Sequence, residues 1–211
     1  MLAEVERLAK QVEADMVELR RDLHAHPELG RSEVRTTRTL AARLRRAGLE
    51  PRLLPTTGLV CDIPAALGTP PTDVGGRGEV IALRADIDAL PVRDEKAVPY
   101  RSQVPGVCHA CGHDVHTAAV LGAGLVLAEL ARAGLLHRDV RLVFQPAEEI
   151  MPGGAHDVID AGGLDGVDRI FALHCDPRLD TGHLGLTVGP ITSASDRILV
   201  RLSGQGGHTA R

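Results

Sequence analysis

The sequence predicts an α/β fold, a mostly parallel sheet flanked by helices, followed by the start of a second domain. Three observations lead there. Short apolar runs at Val80–Leu83, Val140–Phe144 and Ile170–Leu173 suit buried parallel strands. Helical patterns lie between them, over Val115–Leu130 and Gly153–Ala161, and this alternation implies a parallel sheet with helices on both faces. The length, 211 residues, allows one full α/β domain and the beginning of another.

The elements follow in chain order. Leu2, Val5, Leu8, Val12, Met16, Leu19 and Leu23 keep helical spacing with charges between them, so a surface helix runs to about His26–Pro27. A second helix fits Glu33–Ala47, with Gly48 as its stop signal. Leu53–Leu54 and Leu59–Ile63 read as strand, interrupted by Thr56, Thr57 and Gly58. Pro70–Gly78 is rich in Gly and Pro and reads as a loop. After the strand at Val80–Leu83 comes an irregular stretch, Asp86–His113, and then the apolar helix Val115–Leu130. From about Pro190 the pattern becomes a half-buried alternation of Ile198, Val200 and Leu202, read as the first strand of the second domain.

Composition excludes some functions. Apolar residues make up 44% and charged residues 25%, an ordinary globular balance. With only Tyr100, Phe144 and Phe171 as aromatic rings, the core must be built from aliphatic side chains. A net charge of -4 without a basic patch argues against nucleic acid as a partner. The first residues lack an apolar signal-peptide core, and no run approaches membrane-spanning length. A cytoplasmic protein without membrane contact is therefore expected. In that compartment Cys61, Cys108, Cys111 and Cys175 are expected to be thiols or metal ligands rather than disulfides.

Ligands of open parallel sheets bind beyond the carboxyl ends of the strands. Asp86 and Asp88 follow the first core strand, Glu148 and Glu149 the second, and His174 the third. Cys108–His116 precedes the apolar helix and holds Cys108, His109, Cys111, His113 and His116. Four segments thus bring metal-type ligands to one sheet edge. Each also has a plainer reading. Asp86 and Asp88 could cap Arg84, and Cys108 with Cys111 could be half a structural zinc site or a redox pair. Glu148–Glu149 could be a solvated acidic turn, and His174 a satisfied core histidine.

At this point six segments carry a resemblance: RRDLHAHPELG (20–30), ALRADIDALP (82–91), HACGHDVHTA (109–118), FQPAEE (144–149), FALHCD (171–176) and SGQGGHTAR (203–211). In this order they resemble the amidohydrolase branch of the M20 metallopeptidase family, which includes hippurate hydrolases, N-acyl-amino-acid deacylases and plant indole-acetyl-amino-acid hydrolases. The resemblance implies a zinc-exopeptidase-like catalytic domain over residues 1–189 and the start of a small α+β lid and dimerisation domain over 190–211. It implies Cys111, His113, Glu149 and His174 as metal ligands and Glu148 as the base that activates water. Asp86 stands where other branches carry a ligand His, Asp88 is the orienting carboxylate, and His208 is the lid histidine that steadies the oxyanion. The cofactor implied is one or two divalent ions, zinc or manganese first, with nickel and cobalt left open. The implied substrate is a small N-acyl amino acid or related amide, and the implied full-length form a homodimer.

Family members continue past the G-G-H motif and supply a last His ligand near the C-terminus, so a chain ending at Arg211 is expected to be truncated and to lack that ligand. Two other readings stand beside this one. The first is a thiol hydrolase with Cys111 as nucleophile, in which the paired glutamates have no task. The second is a truncated relative that binds metal without turnover.

Overall fold

The computed structural model describes residues 1–65, 79–191, 198–204 and 206–207. The expected loop at Pro70–Gly78 and the G-G-H histidine His208 lie outside the described residues. The chain forms two compact units, Met1–Cys175 and Asp176–Arg211.

The first unit contains α1 (Leu2–Ala25), α2 (Val34–Arg46), β1 (Arg52–Leu53), β2 (Leu59–Ile63), β3 (Val80–Asp86), α3 (His113–Arg132), β4 (Val140–Gln145), α4 (Ala155–Asp160) and β5 (Val167–Ala172). Its five-stranded sheet has the order β1-β2-β4-β3-β5. The β3–β4 and β3–β5 pairs are parallel, whereas β1–β2 and β2–β4 are antiparallel. The parallel half is the one the α/β alternation predicts. The antiparallel half reflects β2, which periodicity locates but cannot orient.

Strand alternation distributes the core over both faces. Leu59, Cys61 and Ile63 of β2 and Leu142 and Phe144 of β4 point to one face. There they pack with Leu19 and Leu23 of α1, Leu40 and Leu44 of α2, and Leu121 and Ala128 of α3. Val60, Ala82 and Val143 point to the other face, against Val158 of α4. Cys61 lies in the larger core, where burial pushes its thiol up to about 12. All four cysteines are free thiols.

Three expectations are corrected. The strand near Ile170–Leu173 was expected to be buried; β5 is instead an edge strand with Ile170 48% and Phe171 55% exposed. An apolar run fits a central and an edge position equally well, and only pairing decides between them. Second, α3 is long and apolar enough to cross a membrane by length and hydropathy, against the expectation that no run approaches this. It is a core helix, with 67% of that window buried within the protein. Third, no strand forms over the described residues 198–204, and Ile198, Val200 and Leu202 are exposed. A strand needs a hydrogen-bonded neighbour, and the described residues of the second unit provide none.

Candidate metal centre

Parallel pairing puts the carboxyl ends of β3, β4 and β5 on one edge, because Asp86 lies opposite Gln145 and Arg84 opposite Ala172. The chain leaving these ends carries Asp88, then Glu148 and Glu149, then His174. The N-terminus of α3 reaches the same edge and begins with His113. Gly112 caps it at φ 92, a left-handed conformation suited to glycine. A Cβ there would also meet Cys175 Sγ at 3.0 Å, so the approach of these two segments requires the missing side chain.

His113 is the hub, 1% exposed. Its Nδ1–H donates to the Asp88 carbonyl at 2.9 Å, with the Asp88 carboxylate 3.3 Å away. That bond leaves Nε2 as an acceptor, buried and without a hydrogen-bond partner. Asp86 and Glu149 oxygens each stand 3.6 Å from this nitrogen. Lone pairs from three residues therefore face one another in a largely buried space, an arrangement that a metal ion or a proton relieves. Electrostatics point the same way. Burial disfavours the imidazolium, but Asp88, Asp86 and Glu149 outweigh it and raise the pKa of His113 above the ordinary value.

The neighbours supply further donor atoms. Cys111 Sγ lies 3.3 Å from His174 Nε2. Ligand atoms of Cys111, His113 and His174 fall within 4.8 Å of one another, as do those of His113, Glu148 and Glu149. Burial and the Glu149 carboxylate push the Cys111 thiol up to about 12. Burial and Glu148 likewise raise the pKa of Glu149. A dication would reverse both shifts, because it stabilises thiolate and carboxylate together. Thiolate, imidazole and carboxylate around a histidine anchored through Nδ1 is a donor set that fits a transition-metal ion.

The two aspartates have different surroundings. Asp88 Oδ2 accepts the Glu149 amide at 3.0 Å, so Asp88 touches both His113 and the glutamate loop. Asp86 pairs with Arg84 at 2.6 Å, as the plainer reading allows, and with His116 Nδ1 at 2.7 Å. Burial opposes its charge, yet His116 and Arg84 bring its pKa down to about 2. His174 is exposed, which removes the reading of a satisfied core histidine.

From the sequence His116 is one of a histidine cluster read as metal-binding, without a role of its own; the structure gives it one. Its Nε2 accepts the Cys175 amide at 2.8 Å while Nδ1 donates to Asp86, so both nitrogens are used within the protein. The available signal was its place three residues after His113 on the same helix face. His109 stands apart from every group of ligand atoms found among the described residues. It is buried, burial lowers its pKa to about 4, and neither ring nitrogen has a partner.

A second buried network adjoins the first. Asp114, next to His113, takes His24 Nδ1 at 2.6 Å and Arg20 Nε at 2.9 Å. His24 Nε2 lies 3.3 Å from Asp94, which also pairs with Lys96 at 3.2 Å. These bonds tie the C-terminal half of α1 to the first turn of α3.

The chain is similar to several known proteins. A Geobacillus stearothermophilus protein named N-acyl-L-amino acid amidohydrolase is 39% identical over 207 residues, covering 98% of this chain and 53% of that one. A Rhodococcus jostii protein named putative glutamate–cysteine ligase 2-3 is 55% identical over 200 residues, 94% of this chain but 24% of the other. The crystal structure of the Bacillus subtilis YXEP protein, titled a dinuclear metal binding peptidase from the M20 family, superposes with a TM-score of 0.74 at 39% identity. It covers 86% of this chain and 48% of that one. The chain thus spans about half the length of the amidohydrolase relative or less of these proteins. The profile of Peptidase family M20/M25/M40 matches residues 82–207, which run from β3 through the ligand cluster and both glutamates. On that match, and on the shared fold beneath it, the chain belongs to Peptidase family M20/M25/M40.

Proposed function

We propose that the protein to which this sequence belongs hydrolyses the amide bond of N-acyl amino acids at a divalent-metal site. The observation that carries the proposal is the buried, unpartnered Nε2 of His113 facing Asp86 and Glu149. Cys111, His113, Glu149 and His174 are the proposed ligands. An ion held there, zinc or manganese first, would supply Lewis acidity and lower the pKa of water.

The remaining chemistry belongs to the side chains. Glu148 is exposed beside the cluster, takes a proton from water and delivers it to the leaving amine. Asp88 keeps the His113 Nε2 lone pair turned inward and holds the Glu149 amide. His208 is proposed to steady the oxyanion. The segment from residue 190 is proposed as the start of a lid that dimerises in the full-length protein. The amidohydrolase name of the Geobacillus relative supports the substrate class.

The thiol alternative is less well supported. A nucleophilic cysteine needs a depressed pKa, whereas burial and Glu149 push Cys111 up to about 12.

The test is hydrolysis of N-acyl amino acids by the full-length protein, with bound metal measured alongside. Glu148→Gln is expected to lower turnover about 100-fold or more while leaving metal content unchanged. Loss of metal together with turnover would remove Glu148 from the role of base and make it a ligand.

A further inference from the structure

Glu33, the N-cap residue of α2, is 0% exposed, and the chemistry above makes no use of it. Its two carboxylate oxygens have separate partners. Oε1 accepts the backbone N–H of Ala147 at 2.7 Å, and Oε2 accepts the Thr57 hydroxyl at 2.6 Å. Its own carbonyl accepts the Thr37 hydroxyl at 2.6 Å, and Thr37 Oγ1 in turn accepts the Gly58 amide at 2.8 Å. Glu33 is therefore fixed from α2 and from the turn before β2 while it reaches to the loop after β4.

That loop is conformationally unusual. Ala147 sits at φ 50, in the left-handed region that a residue with a Cβ seldom occupies. The two residues after it are Glu148 and Glu149, and the Glu149 amide donates to Asp88 Oδ2 at 3.0 Å. The N–H groups of Ala147 and Glu149 thus meet two buried carboxylates. Backbone turns of this kind hold anions elsewhere, and here the anions belong to the protein itself. A left-handed alanine persists only where its surroundings hold it, and the 2.7 Å bond its amide donates to a fixed, buried carboxyl oxygen is such a restraint. Were Ala147 to relax, its peptide planes would rotate and carry both glutamate side chains away from His113.

We infer that Glu33 is a positioning residue for the Glu148–Glu149 pair, acting by pinning the Ala147 amide and so holding the left-handed turn that aims both side chains. The inference rests on the proposed reading of Glu148 as base and Glu149 as ligand.

Two variants separate reach from charge. Glu33→Gln keeps an oxygen acceptor at the same reach and loses the charge; Glu33→Asp keeps the charge and withdraws it by one methylene. In the full-length protein Glu33→Asp is expected to lower kcat about 10- to 100-fold with KM for an N-acyl amino acid little changed, as for a catalytic group displaced by about an ångström. Cobalt(II) affinity should fall with it, and Glu33→Gln should restore most of both. Wild-type kcat in Glu33→Asp, or equal loss in the two variants, would overturn the inference. Should Glu33→Asp fail to fold, Thr57→Val frees Oε2 and is judged by the same kcat criterion. Glu148→Gln and Glu149→Gln run in parallel. If both leave turnover and metal binding intact, the underlying reading fails; if they abolish turnover while the Glu33 variant remains at wild-type level, only the inference fails.

Discussion

Single residues in this protein act mainly through charge held out of water. Asp94 is the clearest case outside the metal centre, with a side chain 2% exposed. Burial opposes its ionisation, but the amides of Ser102 and Lys96 and the Lys96 ammonium hold its carboxyl well below the usual carboxylate range. Between that value and an unfolded pKa of about 3.9 the unfolded chain binds more protons, so the stability Asp94 contributes falls as pH falls. The contribution is complete above about pH 5 and disappears once pH drops through the folded pKa. Asp94→Asn should therefore lower the urea midpoint at pH 7, and the gap to wild type should narrow steadily below pH 4. A gap independent of pH would mean that Asp94 acts by packing rather than by charge. Legibility at this scale follows the same division. Cys111, His113, Glu148, Glu149 and His174 could be picked out because each follows a strand end or opens a helix. Glu33 could not, because its partner Ala147 is 114 positions away and the bond is to a backbone amide that no residue type announces.

Elements were legible where one period dominates. The apolar stripe of α1 gave its extent to within a few residues, and α2 needed only Gly48 at its end. β2 and β5 were not legible in the same way, since strand direction and edge position depend on pairing partners. The helix α3 shows how packing at this scale serves the site. Gly124 is buried against β4, and a Cβ built on it would be driven into Leu142 Cδ1. Leu142 is 0% exposed and sits in the main core, so it has little room to turn aside. The glycine thus sets the helix-to-sheet distance for the element that starts at His113. Gly124→Val is expected to destabilise by about 1–3 kcal/mol through overpacking. The gain in helix propensity over glycine, a few tenths of a kcal/mol, is too small to offset it. Thermal unfolding checks this. A Tm equal to or above wild type would show that Leu142 can repack and that α3 is not held at its closest approach.

The whole molecule brings its ligands together from segments far apart in the chain. Cys111 and His113 stand at the start of α3, Glu149 follows β4 and His174 follows β5, so no single element carries the proposed site. An ion bound there links three parts of the sheet edge in the folded state and finds no such set in the unfolded chain. Its binding energy is then folding energy, growing as RT ln(1 + [L]/Kd), or about 2.7 kcal/mol at 100 times Kd. For a chain of this size each kcal/mol moves Tm by about 2–4 °C, so near-saturating zinc or manganese should raise Tm by about 5–10 °C. A chelator should reverse the shift. His113→Ala removes the residue common to every ligand group found among the described residues, and should abolish the shift even if the variant folds less stably. This measurement needs no substrate and no turnover. A Tm insensitive to metal in a folded wild-type chain would mean that these donor atoms do not form a site by themselves, and the buried lone pairs around His113 would then have to be satisfied by a proton.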